Sequence, residues 1–286
     1  MRVFLAAATD IGRDRETNED SFCINPDLMR GRWAGSGSYQ KSGDYGAIAV
    51  VADGMGGHNA GEVASAIAVD TIKSKFSDCS VIPVLTEPSI KAFLIESIDE
   101  ANRAILHRVE ENPEYLGMGT TIIIVWLIAG VAHIAWCGDC RCYMFRQGTG
   151  LKQLTKDHSY VQCLVDSGQL SPEKAFNHPS GHLLTRCLGG IDSYSDADIV
   201  SVNVEDGDIL LACSDGLCGY CPDRQIEQIV ANRTKAIPAR VNGLIRAALQ
   251  RGAGDNITVA ALATRPDQGK YGKLLDRIKN CFSGRW

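Results

Sequence analysis

Thr120-Thr121-Ile122-Ile123-Ile124-Val125-Trp126-Leu127-Ile128 leads through Ala129-Gly130 into Val131-Ala132-His133-Ile134-Ala135-Trp136-Cys137. No Asp, Glu, Lys or Arg occurs from Tyr115 to Trp136, a length close to the ~20 apolar residues that cross a bilayer as a helix. The residue types argue otherwise. Thr, Ile and Val carry two heavy atoms on Cβ, which restrict χ1 against a helical turn and suit the pleated surface of a strand. Ala129-Gly130 supplies a turn, so the stretch reads as a buried β-hairpin with no membrane span.

Further strand-like runs lie at Val3–Ala8, Ala47–Ala52, Tyr143–Phe145, Ile199–Val204, Ile209–Cys213 and Thr258–Leu262. Helical periodicity is clearest in Ser89–Glu111, where Ile90, Phe93, Leu94, Ile98, Ala101, Ile105 and Val109 recur every three or four positions. Gly61–Phe76 repeats the pattern, and a later helix over Ala239–Gln250 is closed by the glycines of Arg251-Gly252-Ala253-Gly254. Residues 26–46 read as a loop. Because strands cluster with short turns while helices come in pairs, the order favours antiparallel sheets with helices packed outside over a doubly wound parallel sheet.

The chain has 286 residues, 45% of them hydrophobic and 22% charged, the composition of a folded globular protein. With 29 Lys+Arg against 34 Asp+Glu and no dense basic block, a nucleic-acid binder held by phosphate neutralisation is excluded. Eleven Cys occur with no secretory signal ahead of them, since the apolar run Val3–Ala8 is short and Asp10 follows. Reduced thiols in the cytoplasm are the expectation. A domain over 1–264 gives way to a tail, 265–286, with Lys270, Lys273, Arg277, Lys279 and Arg285 among Leu274, Leu275, Ile278 and Phe282 at helical spacing. It reads either as a short helix packed on its own domain or as a basic amphipathic segment that docks a partner.

Chemistry concentrates in Asp residues beside Gly where strand-like runs stop: Ala52-Asp53-Gly54, Cys137-Gly138-Asp139, Ser214-Asp215-Gly216, and Gly254-Asp255-Asn256 just before a strand. Asn18-Glu19-Asp20 adds two carboxylates ahead of Phe22. A single Asp at a strand end is ordinarily a turn former. Several converging carboxylates would repel unless hard cations sat among them, and carboxylate, carbonyl and water ligation suits Mg²⁺ or Mn²⁺.

These segments, together with Arg15-Glu16-Thr17-Asn18-Glu19-Asp20, Asp53-Gly54-Met55-Gly56-Gly57-His58, Gly117-Met118-Gly119-Thr120-Thr121, Gly138-Asp139-Cys140-Arg141, Leu184-Thr185-Arg186, Ser214-Asp215-Gly216-Leu217 and Asp255-Asn256-Ile257-Thr258, occur in the order of the PPM-type (protein phosphatase 2C) Ser/Thr phosphatases. The chain resembles their compact bacterial form over roughly residues 5–263. The resemblance implies an α+β fold: a β-sandwich of two antiparallel sheets flanked by helices, with a helical flap near 157–190 beside the active site. It implies hydrolysis of phosphoserine and phosphothreonine in proteins by water activated at a binuclear Mg²⁺/Mn²⁺ centre. In it Asp53 bridges two ions and Gly54 lends its carbonyl, Asp215 and Asp255 hold one metal, and Glu19 with Asp20 serve the other. Asp139, with Asp215, matches a third metal position of bacterial members, and Arg15 matches the arginine that grips the substrate phosphate. Phosphorylated proteins, substrates of a Ser/Thr kinase, are the implied partners. A binding module that keeps the fold without turnover, and a hydrolase of small phosphoesters, are the alternatives.

The chemistry agrees with that assignment. A dianionic phosphomonoester needs metal charge to enter a carboxylate-rich pocket, and a guanidinium offers it a fixed fork of donors that Lys cannot copy. Cys140 departs from the family pattern, which has Ser there. Cys218-Gly219-Tyr220-Cys221 and Cys137-x-x-Cys140 share a Cys-x-x-Cys spacing, which also fits zinc or redox chemistry; both lie inside matched phosphatase motifs, favouring incidental thiols. His58 and His158 are the candidate general acids, although Met55 stands where animal members carry their histidine. In 157–190 the residue pattern predicts a short amphipathic helix, a turn, and a second helix started by Pro172.

Overall fold

The computed structural model describes residues 1–56, 60–78, 82, 86–176, 178–190 and 195–267. In chain order the strands are β1 (Arg2–Asp10), β2 (Asp20–Asn25), β3 (Gln40–Lys41), β4 (Ala47–Met55), β5 (Gly119–Thr120), β6 (Ile122–Ile128), β7 (Val131–Cys137), β8 (Arg141–Arg146), β9 (Gly150–Gln153), β10 (Leu188–Gly189), β11 (Asp198–Asn203), β12 (Ile209–Cys213) and β13 (Ile257–Arg265). The helices are α1 (Ala60–Ser77), α2 (Glu87–Glu111), α3 (Tyr160–Asp166), α4 (Pro172–Ala175), α5 (Asp215–Cys218), α6 (Asp223–Val230) and α7 (Ile237–Gln250). One six-stranded sheet runs β3-β1-β13-β12-β8-β9; a seven-stranded sheet runs β10-β5-β4-β6-β7-β11, with β2 also paired to β4. The paired strands are antiparallel.

Side chains alternate between the two faces of a strand, and here both faces are buried. In β6, Ile122, Ile124, Trp126 and Ile128 pack with α1 and α2, while Ile123, Val125 and Leu127 face the opposite sheet. In β13, Val259, Ala261 and Ala263 pack with α5 to α7, while Ala260 and Leu262 join the layer between the sheets. The result is a helix–sheet–sheet–helix stack, the expected sandwich, and it explains the membrane-like hydropathy of residues 115–136. Among the described residues no helix is long and apolar enough to cross a membrane.

The hairpin forms as expected. Ile128 pairs with Val131, leaving Ala129 (φ 49°) and Gly130 (φ 83°) as a two-residue loop with both residues left-handed, the twist that matches the flanking strands. Trp126 is wholly buried and sits edge-on to Phe76, 5.1 Å between ring centroids, with its indole N–H satisfied by the Tyr45 carbonyl at 2.8 Å.

The structure extends the expected helices to Glu87–Glu111 and Ile237–Gln250, each admitting a Pro into its first turn. The loop expected over 26–46 contains a 3₁₀ turn, Leu28–Arg30, and the short β3. Arg265 is still part of β13, opposite Arg2, one residue past the expected end of the domain. Residues 268–286, which hold the basic and apolar positions of the tail, lie outside the described residues, as does His58.

Candidate active site

Strand ends from both sheets meet at one end of the sandwich. Asp53 lies near the end of β4, and Asp20, opening β2, is its cross-strand partner. Asp139 occupies the turn between β7 and β8, Asp215 follows β12 at the start of α5, and Asp255 precedes β13. Cys213 pairs with both Arg141 and Val259, which sets the last three acids side by side.

The backbone around these acids is fixed by polar side chains. Thr121 accepts from the Asp53 N–H (3.1 Å) and donates its own N–H to the Asp53 carbonyl (2.8 Å), which also accepts from the Thr120 hydroxyl (2.9 Å). Thr121 is the break between β5 and β6, so the interruption in that strand is where Asp53 is held. Ser214 donates to Asp20 Oδ2 at 2.8 Å and accepts from the Thr258 N–H at 2.9 Å. Asn256 Oδ1 accepts from the Glu19 N–H (2.7 Å), while its Nδ2 donates to the carbonyls of Ile11 (2.8 Å) and Thr17 (3.0 Å). One amide therefore staples the segment that carries Arg15 and Glu19 to the start of β13. Gly54 leaves no room for a side chain: a Cβ there would collide with the carbonyls of Gly61 and Glu19.

Sequence reasoning quoted Thr120, Thr121, Ser214 and Asn256 inside motifs without giving them work. For Ser214 and Asn256 the available signal was a polar residue directly beside a strand-end Asp; Thr120 and Thr121 adjoin no acid, so no local pattern ties them to Asp53.

Electrostatics set the site apart. Burial pushes the Asp20 carboxyl up to about 7, against hydrogen bonds from Thr258 and Ser214 that favour the anion. Asp215 is raised to about 6 by burial and by Asp255. Asp53 is held well above the usual carboxylate range by burial and then by Asp20, Asp215, Asp139 and Asp255; Asp139 is held there by burial and then by Asp215 and Asp157. Glu19 is raised by burial, which Arg15 partly offsets. Asp20 Oδ1 and Asp215 Oδ1 are buried without a hydrogen-bond partner. The guanidinium of Arg15 lies on Asp255, with Nε at 2.8 Å from Oδ1 and Nη2 at 2.9 Å from Oδ2; the hydrogen bond to Asp255 raises the Arg15 pKa.

Buried carboxylates that raise one another, with two oxygens unsatisfied, are a donor set short of positive charge, and hard divalent cations fit it. Among the described residues no three His, Cys, Asp or Glu side chains already close on a single point as ligands would.

The remaining candidates separate from the cluster. His158 is buried and stacks on Trp136 at 5.9 Å. Its Nδ1 accepts from the Gly138 N–H at 3.1 Å and its Nε2 lies 3.2 Å from Asp198 Oδ2. Burial lowers its pKa, and both ring nitrogens are engaged by neighbours within the fold. Cys140 places its sulfur 3.1 Å from Thr121 Oγ1. Cys137, Cys140, Cys218 and Cys221 are buried. Burial pushes Cys137 up to about 12 and Cys221 up to about 11, keeping them protonated and poor as nucleophiles or ligands.

The family model for "Protein phosphatase 2C" matches residues 7–162. A serine/threonine phosphatase, stp, of Listeria welshimeri is 35% identical over 251 residues, 88% of this chain and 92% of that protein. A solved S. agalactiae serine/threonine phosphatase superposes with a TM-score of 0.78 at 31% identity, covering 92% of this chain and 100% of the other. The catalytic domain of the phosphatase PstP, solved in complex with two manganese ions, superposes with a TM-score of 0.74 at 30% identity, over 93% of this chain and 99% of that one. With its acids gathered at one end of a four-layer sandwich and these likenesses across nearly its whole length, the chain belongs to the protein phosphatase 2C family, the metal-dependent Ser/Thr protein phosphatases.

Proposed function

We propose that this chain hydrolyses phosphoserine and phosphothreonine in proteins at a centre of two Mn²⁺ or Mg²⁺ ions, with a third position beside Asp139 and Asp215. The observation that carries the reading is the set of buried carboxylates short of positive charge, bordered by Arg15. Asp53 would bridge the two ions with the Gly54 carbonyl beside it, Asp215 and Asp255 would hold one, and Glu19 with Asp20 would serve the other. When bound, the cations supply Lewis acidity toward the phosphoryl oxygens and a water of lowered pKa as the attacking group.

The protein's own groups do the rest. Arg15 is half-exposed and already makes a two-point contact with a carboxylate; the same fork accepts two oxygens of a phosphate dianion and orients it. Thr120, Thr121, Ser214 and Asn256 fix the carboxylates so that little reorganisation is left to the reaction.

The substrates follow from the chemistry, since phosphoserine and phosphothreonine in proteins are made by Ser/Thr kinases. A cytoplasmic setting agrees with the mostly buried cysteines. The two readings of the tail 265–286 separate on one truncation: ending the chain after Asp267 should lower Tm if the tail packs on its own domain, and should leave Tm and peptide turnover intact while weakening partner capture if it docks a partner.

The test is a Mn²⁺ and Mg²⁺ titration of phosphothreonine-peptide hydrolysis, with a small phosphoester in parallel. Dependence on metal, loss in EDTA and preference for the peptide are expected. Undiminished turnover in EDTA overturns the metal-dependent reading, and preference for the small ester overturns the protein substrate.

A further inference from the structure

The segment Asp157–Gly190 is rooted on the turn that carries Asp139, and the attachments bracket that acid. On one side, the Gly138 N–H donates to His158 Nδ1 (3.1 Å) while the His158 N–H donates to the Gly138 carbonyl (3.0 Å). On the other, Arg141 forks onto Asp157, with Nε at 2.9 and 3.0 Å from the two carboxylate oxygens and Nη2 at 2.6 Å from Oδ2. Neighbours 157 and 158 thus hold residues 138 and 141, and Asp139 is one of two residues between the anchors. The turn is also held from beneath. Gly138 has φ +112°, a backbone that excludes L side chains, and a Cβ there would press into Thr121. Thr121 is the residue that grips Asp53.

The root is closed on its far side too. The Thr185 N–H donates to the His158 carbonyl at 2.9 Å and the Tyr160 N–H to the Leu183 carbonyl at 2.8 Å, so both ends of the segment are laced together. Asp198 takes His158 Nε2 at 3.2 Å and Arg186 Nη1 at 2.8 Å.

We infer that Asp157 and His158 are positioning residues for Asp139, the Arg141–Asp157 ion pair and the reciprocal Gly138–His158 hydrogen bonds being the two points through which the segment sets that acid's place in the site. The inference rests on the proposed metal-dependent reading for its consequence in metal binding, although the linkage itself does not. A segment so attached cannot shift at its root without moving residues 138–141, so whatever it touches outside the pocket is felt at Asp139. A side chain that merely stiffened the fold would not couple these two places.

The test uses the full chain with Asp157→Ala, Asp157→Asn, His158→Phe and His158→Asn. Phe keeps the ring stacked on Trp136 and loses the acceptor; Asn offers an oxygen where Nδ1 stood. Hydrogen exchange of the peptide 137–142 in metal-free protein is expected to quicken about tenfold in His158→Phe and both Asp157 variants, and much less in His158→Asn. Mn²⁺ binding by equilibrium dialysis is expected to weaken about tenfold in the same order. Unchanged exchange and unchanged Mn²⁺ affinity in folded variants overturn the inference, as does an Asn variant no better than Phe. If Asp157→Ala fails to fold, Asp157→Asn, which removes only charge, decides the ion-pair arm. Wild-type hydrolysis that proved independent of metal would remove the proposed function while leaving the metal-free exchange to judge the linkage; normal metal-dependent hydrolysis with unchanged exchange removes the linkage alone.

Discussion

Asp53 shows what the site costs the fold. Its carboxyl is raised by burial and by four neighbouring acids, so in metal-free protein its negative charge opposes folding. Asp53→Asn is therefore expected to abolish peptide turnover and yet raise Tm in EDTA, read by calorimetry beside the activity assay; a lower Tm in EDTA would show that the carboxylate is satisfied without metal. The sign of the pH dependence follows from the same groups. Asp20 and Asp215 are raised to about 7 and about 6 from an ordinary value near 4. A raised folded-state pKa contributes stability that is complete below the unfolded value and is lost as pH climbs through the folded one. Metal-free protein should thus lose Tm from these acids between about pH 4 and pH 8, whereas saturating Mn²⁺ should flatten the loss, because cations take the protons' place. Equal pH profiles with EDTA and with Mn²⁺ would count against a metal at these acids. Asn256→Ala removes three bonds that tie the Ile11–Glu19 segment to the start of β13; it should cost about 10–100-fold in metal affinity or turnover, with far-UV circular dichroism unchanged.

At the scale of elements, the β6–β7 hairpin carries one local conflict. Ala129 holds φ 49° in a turn that suits Asn or Gly. Ala129→Asn should stabilise by roughly 1 kcal/mol, which for a chain of this size is a rise of about 2 °C in Tm; an unchanged or lower Tm would show that the flanking strands, not the turn, dictate that backbone. This hairpin was legible because its β-branched block and its turn are both local signals. So was the period of α2. The strand β2 was not read, since only Phe22, Cys23 and Ile24 are apolar and its hydrogen bonds come from β4, which no local pattern announces. The helix α6 was missed as well, although Ile226, Ile229 and Val230 have helical spacing, because eight residues give too few turns for the period to stand out. The acids were legible by their place beside Gly at strand ends. Their alliances were not: that Thr121 grips Asp53, or that His158 is spent on Gly138 and Asp198, depends on contacts between distant segments.

Across the whole molecule, Glu19 and Asp20 stand near the start of the chain and Asp255 near its end, brought together because β1 pairs with β13 from Arg2↔Arg265 to Asp10↔Ile257. Contacts of such sequence separation form late and slowly in folding. During translation, then, the enzyme has no half-made catalyst: a nascent chain holding all but β13 lacks the partner of β1, and with it the pairing that brings Asp255 beside Arg15. Activity should switch on only after β13 clears the ribosome exit tunnel, so incomplete products of stalled synthesis would be inactive.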